Sequence, residues 1–315
     1  MASHNQKLSD DEFIKLFPMI GAQGISEQFG VAVVNVYSRR RRLEKAYDIL
    51  LESPSTLQSK RQTENVRRTA DVKNGTIIIG SDAHKWKEWT TAQLAFVDVA
   101  KKLQPKIVIL NGDVLDGASI SRHPPINWET IPTLEEEMRY VADLLDRIED
   151  AAPKAKRYWL LGNHDARFES RLAKEAPEFR GVKGVHLKDH FPKWIPGMSL
   201  WINDEIVVKH RFKGGVHAAH NNTVNAGKTI VTGHTHQQKI TPWTDYNGTR
   251  YGIECGTMAE PYGPQFMYAE DNPKSHISGF VVLTIKDGEM LYPEVVRAVE
   301  DGVYEFRGER HKVKV

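Results

Sequence analysis

Seven side chains carry the chemistry this sequence can offer, and each lies at or just beyond the end of a short apolar run. TIIIG is followed by Ser81-Asp82-Ala83-His84, and KIVIL by Asn111-Gly112-Asp113-Val114-Leu115-Asp116. YWLL is followed by Gly162-Asn163-His164-Asp165, IVVK by His210, and TIVT by Gly233-His234-Thr235-His236. Imidazole, carboxylate and amide oxygen together suit divalent first-row metals. The lone cysteine, Cys255, excludes a thiolate-type structural zinc site. Asp82, His84, Asp113, Asn163, His210, His234 and His236 are too many donors for one tetrahedral ion, and they suit two ions sharing a carboxylate. Two divalent cations outweigh the charge of Asp82 and Asp113. The surplus can hold a hydroxide and an anionic substrate, of which a phosphate ester is the obvious case.

The apolar runs that precede these groups read as buried strands. In α/β sheets the ligand crevice lies beyond the carboxyl ends of the strands, so five such ends are expected to gather the seven groups around one point. Between the runs, residues 89–103 and 133–150 read as helices. In the second, Thr133 and Glu136 form a capping box, and Leu134, Met138, Val141, Leu145 and Ile148 share a face. This alternation predicts a layered α/β core. The later runs, YGIEC, GFVVLTI and EVVRAVE, have no long helices between them and predict a second sheet with antiparallel pairs.

The succession D-x-H, G-D-x-x-D, G-N-H-D, H, G-H-x-H resembles the calcineurin-like metallophosphoesterase superfamily. It is carried by Asp82/His84, Gly112–Asp116, Gly162–Asp165, His210 and Gly233–His236. Gly-Asn-His-Asp-Ala-Arg, with Ser119 and Ser121 after the second motif, is similar to phage and prophage members. The resemblance implies a four-layer α/β/β/α sandwich. It also implies one metal held by Asp82, His84, Asp113 and His236, and a second by Asp113, Asn163, His210 and His234, with Asp113 bridging. His164 would protonate the leaving oxygen, Asp165 would orient His164, and Arg167 would clamp a phosphate. Asp116 would hold motif histidines by a hydrogen bond. Manganese is the expected ion, and iron, zinc, nickel and cobalt also suit the donors. The fourth motif departs from the usual His-Gly, being His210-Arg211, with His217 and His220 downstream as competitors; the strand-like EIVVK before it favours His210.

The chain has 315 residues, 40% hydrophobic and 27% charged, with a net charge of +2. These values fit a globular protein of about two domains and exclude a fibrous or disordered one. One cysteine permits no intramolecular disulfide, and no run is long and apolar enough for a membrane span or a secretory leader. We therefore expect a cytoplasmic protein of a bacterial or phage-infected cell, with no membrane partner. Charge is unevenly spread: between Val36 and Lys73 ten Lys or Arg face five acids. Before and within this stretch lie three short helical patterns. Phe13, Leu16 and Phe17 mark the first, and Ile25 and Phe29, stopped by Gly30, mark the second. Residues 33–51 form the third, with an apolar face of Val33, Val36, Tyr37, Leu43, Ala46, Tyr47, Leu50 and Leu51. A short helix, a glycine turn and a basic helix resemble the helix-turn-helix modules of bacterial and phage regulators. The expected organisation is a DNA-binding module over 1–52 with Arg39, Arg40, Arg41 and Arg42 on phosphates, a polar linker over 53–73, and a phosphoesterase domain over 74–315. A solvated basic helix in a plain three-helix adaptor accounts for the same pattern.

The function expected is metal-dependent hydrolysis of phosphate esters, in particular phosphodiesters of nucleic acid or nucleotides. A protein phosphatase using the same metal centre, and a DNA-binding regulator with an inactive phosphoesterase domain, are the alternatives. The loop 117–131 is long enough for a lid or a substrate wall, and His123 within it reads as a loop residue. Tyr262, Phe266 and Tyr268 read as pocket or packing residues. His4, His186, His190, His276 and His311 have no motif around them and read as surface or core histidines.

Overall fold

The structure, a computed structural model, describes residues 8–51, 53, 67–123, 130–270 and 275–314. It divides into two compact units, Met1–Val66 and Arg67–Val315.

In the first unit, α1 (Asp10–Phe29) starts from a capping box between Ser9 and Glu12 and breaks its helical geometry at Gly21. Gly30 ends it in the left-handed conformation, and α2 (Val33–Tyr47) follows. Phe13, Phe17, Ala22, Ile25, Val36, Leu43 and Leu51 form a small core. The apolar face expected for residues 33–51 is narrower than its pattern: Tyr37, Tyr47 and Leu50 are exposed. The guanidinium groups of two arginines lie against this core. Arg39 lies over the Phe13 ring and Arg40 over the Phe17 ring, at 5.0 and 5.2 Å.

In the second unit two sheets stack. The first has the order β15-β14-β13-β11-β2-β3-β4-β5, with β12 (Glu289–Met290) paired to β11. Its centre is β2 (Gly75–Gly80), β3 (Ile107–Leu110) and β4 (Lys156–Leu160), all parallel. β5 (Ile195–Gly197) is the edge beside β4, and β11 (Gly279–Lys286) lies antiparallel to β2. β13 (Glu294–Glu300), β14 (Val303–Phe306) and β15 (Glu309–Lys312) continue outward. The second sheet runs β1 (Arg67–Ala70), β6 (Ser199–Ile202), β7 (Ile206–Val208), β8 (Thr229–Thr232), β10 (Gly248–Cys255), β9 (Gln238–Asp245).

Strand alternation sends Ile77, Ile79, Ile107 and Ile109 to one face, where they meet Leu200, Val208, Val231 and Ile253 of the other sheet. Ile78, Val108 and Leu110 face the opposite way, onto α3 (Thr91–Leu103) and α4 (Leu134–Ala151) through Phe96, Val99, Val141, Leu145 and Ile148. The short helix α7 (Ala218–Ala226) covers the second sheet from outside, against β8, β9 and β10. The layers are therefore α/β/β/α. Two smaller helices, α5 (Asp165–Glu175) and α6 (Leu187–His190), complete the unit.

Three sequence expectations change. The linker assigned to 53–73 runs too far, since Arg67–Ala70 pairs in parallel with Ser199–Ile202 as an edge strand; polar composition is no bar at an edge, where one face meets solvent. Residues 54–66 lie outside the described residues. GFVVLTI and EVVRAVE join the first sheet, not the second, because a strand can pair antiparallel beside β2 without a crossover helix. The second sheet itself is mixed, with β7–β8 and β8–β10 parallel. The crossover from β7 to β8 carries α7, a helix too short and too poor in apolar residues to show in the pattern.

Candidate metal centre

All five chemistry-bearing segments leave the carboxyl ends of strands: β2, β3 and β4 from one sheet, β7 and β8 from the other. The backbone turns sharply there. Asp82, His84, Asp113, His234 and His236 all have positive φ, between 37° and 71°. L-residues other than glycine, asparagine and aspartate enter that region rarely, and such strain gathers at functional sites. Two motif glycines make room for the carboxylates. A Cβ on Gly162 would overlap Asp113 Oδ1, and one on Gly233 would lie 2.7 Å from Asp82 Oδ2.

Six of the seven expected donors fall into two groups. Asp82, His84 and His236 converge in one, and Asp113, His210 and His234 in the other; within each, the ligand atoms lie within 4.8 Å of one another. His236 Nε2 is 3.1 Å from Asp82 Oδ1, and His210 Nε2 is 3.0 Å from Asp113 Oδ2 and 4.0 Å from Asp82 Oδ1. All but His234 are buried. Asn163 projects from the third segment, with its Oδ1 buried. Among the described residues, Asn163 Oδ1, His84 Nε2 and His210 Nε2 have no hydrogen-bond partner. Buried polar atoms without partners are rare and costly.

The ring geometry explains these orphans. His210 Nδ1 donates to the Asn111 carbonyl at 2.7 Å, and His84 Nδ1 pairs with Asp116 Oδ1 at 3.0 Å. Both rings thereby turn Nε2 inward, as ligating histidines do. His210 Nε2 lies 3.0 Å from Asp113 Oδ2 without the geometry of a hydrogen bond. The donor set fits divalent metal.

Electrostatics without a metal makes the same demand for positive charge. Burial opposes protonation of His210, yet Asp82 and Asp113 push it up to about 9. Burial likewise opposes ionisation of Asp82, but His236, His210 and His84 hold its carboxyl well below the usual range. His84 and His234 are both lowered, first by burial and then by neighbouring imidazoles, His164 and His210 respectively. A metal that displaces the shared proton suits such a site.

His164 stands beside this centre, its ring 4.6 Å from that of His84. Its orienter is not Asp165, as the resemblance implied, but Asp116. His164 Nδ1 meets the Asp116 carbonyl at 2.8 Å and Asp116 Oδ1 at 3.1 Å. Asp116 therefore holds His84 and His164 with one oxygen, while Trp86 donates to the other at 3.2 Å. Burial opposes charge on Asp116, and its two histidine bonds hold it well below the usual carboxylate range. Asp165 is occupied elsewhere. It accepts the backbone N–H groups of Asp113, Val114, Leu115 and Gly162 and the Trp159 indole, bracing the Asp113 loop. Burial and the Asp113 charge still push its carboxyl up to about 6. Side-chain type and adjacency do not separate Asp116 from Asp165; the turn after β4, which points Asp165 back under the second motif, does.

Arg167 lies in the first turn of α5. Its Nη1 donates to the Asp116 carbonyl at 2.8 Å and its Nη2 to His164 Nε2 at 3.2 Å. His210, rather than His217 or His220, joins the cluster: His217 is exposed ahead of α7, and His220 packs edge-on against Trp243. Phe266 is buried against His84 and His236, at 5.3 and 4.9 Å between ring centres. His276 also packs on His236, at 4.5 Å. The sequence reading gave His276 no role near the motifs, and nothing around it in the chain signals this position. Tyr262 is exposed, while Tyr268 and His123 line the cavity above His164. Of the loop 117–131, residues 124–129 lie outside the described residues, as does His4.

Residues 75–238 match the calcineurin-like phosphoesterase family. The chain belongs to that family. The Gene 54 proteins of Mycobacterium phage L5 and Mycobacterium phage D29 are each 29% identical to it, over 62% of this chain and 83% of theirs. Among solved structures, Vps29 from Entamoeba histolytica is similar at a TM-score of 0.40 and 16% identity, covering 76% of this chain and 99% of that one. The phosphoesterase Yfce from E. coli reaches a TM-score of 0.33 at 15% identity, covering 69% and 97%. As a member of the calcineurin-like phosphoesterase family, the chain is of a hydrolase type that acts on phosphate esters, and its Asp/His clusters could hold metal. Among the described residues no helix is long and apolar enough to cross a membrane.

Proposed function

We propose that this protein hydrolyses phosphodiesters of nucleic acid or nucleotides, using two divalent ions. Asp82, His84 and His236 would hold one ion, and His210, His234 and Asn163 the other, with Asp113 serving both. The observation that carries this reading is the pair of Asp/His clusters, with the inward, partnerless nitrogens of His84 and His210 and oxygen of Asn163. When bound, such ions supply an activated water and stabilise the attacking and leaving oxygens of an in-line displacement.

The chain's own residues do the rest. Asp116 fixes His164 through Nδ1, which leaves Nε2 as the atom that gives a proton to the leaving oxygen. Arg167 now donates to that Nε2. A substrate phosphate draws the guanidinium away, since a bidentate bond to phosphate is stronger than one to a neutral imidazole. That exchange frees Nε2 for its proton. Asp165 keeps the Asp113 loop in register through four backbone donors.

The direct test is hydrolysis of bis-p-nitrophenyl phosphate by protein stripped of metal and then given manganese, iron, zinc, nickel or cobalt. Turnover that depends on added metal supports the reading. Absence of turnover with all five would leave a phosphoesterase fold used for binding. In the N-terminal unit, Arg41 and Arg42 are exposed, and on the helix-turn-helix reading they are the side chains that would meet DNA phosphates.

A further inference from the structure

Beside the metal centre, and sharing Asn163 and Arg167 with it, lies a cleft of about 820 Å³. Arg122, Arg167, Arg171, Lys174 and Arg211 line it, and Glu175 is its one acid. Three of these, Arg167, Arg171 and Lys174, recur at i, i+4 and i+7 on α5 and so share one face of the helix. The stripe begins beside His164 and runs away from it for about 10 Å, at roughly 1.5 Å per residue. Arg122 and Arg211 reach the same cleft from the loops after β3 and β7. Arg122, Arg171 and Arg211 are exposed and make no ion pair or hydrogen bond among the described residues. Lys174 pairs only with its exposed neighbour Glu175, at 3.1 Å. Unpaired like charges held side by side repel, so a cluster of this kind is matched by an anion from outside.

On the other side of Asn163, His123 and Arg167, which line both spaces, a second cavity of about 560 Å³ has a different character. Trp86, Ile131, Pro264, Met267 and Tyr268 line it together with the polar Asp116, Ser121, His164 and Gln265. A cationic groove on one side and, on the other, a pocket holding the reactive histidine between aromatic and polar walls match a chain of alternating phosphates and flat, hydrogen-bonding bases. Neither a lone phosphomonoester nor a phosphorylated side chain would need both.

Resting on the phosphodiesterase reading above, we propose that the substrate is a single-stranded nucleic acid. The strand places a base in the Trp86–Tyr268 pocket and its next phosphates along Arg171, Lys174, Arg122 and Arg211. The stripe on α5 matches roughly three nucleotides of a stacked strand, at about 3.4 Å each. Arg171 and Lys174 do not line the pocket over His164, so they are flanking-phosphate contacts and not part of the reaction itself.

The test is inhibition of bis-p-nitrophenyl phosphate hydrolysis by dodecathymidylate phosphorothioate, which resists cleavage. It compares the full chain with its Arg171→Ala/Lys174→Ala variant at several salt concentrations. The variant should hydrolyse the small ester as the parent does, while the inhibition constant rises by about tenfold. The log–log salt slope should fall by about 1.4, at roughly 0.7 per lost phosphate contact on a single strand. An unchanged constant and slope would overturn the proposal and leave the phosphodiesterase reading standing. Loss of small-ester hydrolysis would also overturn it, by placing these side chains in the reaction itself. Polyglutamate that competes as well as the oligonucleotide, and weakens equally in the variant, would replace nucleic acid with an acidic protein. If the parent chain hydrolyses no ester with any metal, only the reading beneath the proposal fails. The groove is then judged by the fluorescence anisotropy of labelled dodecathymidylate, whose affinity must still drop about tenfold in the variant.

Discussion

The two units of this protein use charged side chains in opposite ways. In the N-terminal unit the charges answer one another. Arg39 donates to Asp10 and to the Leu8 carbonyl, Arg42 donates to Asp10, and Arg40 pairs with Glu44 at 2.9 Å. Two of these guanidinium groups also lie over the phenylalanines of the core. At the strand ends of the second unit, charges and imidazoles instead converge with donor atoms that have no partner. A run of four arginines, conspicuous in sequence, is to a large part a fastening between helices. The reactive centre is assembled from residues far apart in the chain, and the basic cleft from one helix face and two distant loops. A charge is available for chemistry when its neighbours leave it unanswered, and that depends on the fold rather than on local density.

The largest effect that would sharpen this contrast is expected at His164. General acid catalysis contributes about 10²–10⁴-fold, so His164→Asn should slow esters with alkoxide leaving groups by roughly that factor. Esters of p-nitrophenol, a stable leaving group, should lose much less, and metal content should stay intact. Equal slowing of both classes would make His164 a phosphate-binding residue. Next in size is Asp116→Asn. Because one oxygen of Asp116 orients both His84 and His164, the change should reduce metal affinity or turnover by about 10–100-fold, the usual effect of losing a hydrogen bond behind a metal ligand. An Asp116→Asn protein with parental metal affinity and parental pH–rate profile would show that the two rings are held by packing alone. The smallest effects belong to the N-terminal unit. Arg39→Ala/Arg40→Ala should lower its thermal unfolding temperature and leave small-ester hydrolysis alone. Arg41→Ala should leave unfolding alone and flatten the salt dependence of duplex DNA binding by about 0.9. Unchanged unfolding in the first pair would break the comparison, since those arginines would then not be fasteners.

The layered core and the convergence of five strand ends were legible in the sequence because buried parallel strands are short apolar runs, and their carboxyl ends are where ligands gather. Asp82, His84, Asp113, His210, His234 and His236, the members of the two donor groups, could be picked out for the same reason. What was not legible depends on the direction in which a side chain leaves the turn. Asp165 follows His164 in sequence but turns under the Asp113 loop, whereas Asp116, far away in the chain, meets the ring. His276 and Phe266 reach His236 from a loop with no motif. The cleft was equally hidden. Arg122, Arg171 and Arg211 come from three separated segments, and only the crossings of β3, β4 and β7 bring them together.

The claim on which the rest depends is that Asp113 belongs to a metal centre shared by both donor groups. It is tested most directly by measuring bound metal per chain and ester turnover together, in the parent and in Asp113→Asn, after reconstitution with manganese. The account expects two equivalents in the parent, the loss of at least one in the variant, and turnover falling with it. Full metal content with an unchanged rate in Asp113→Asn would contradict it.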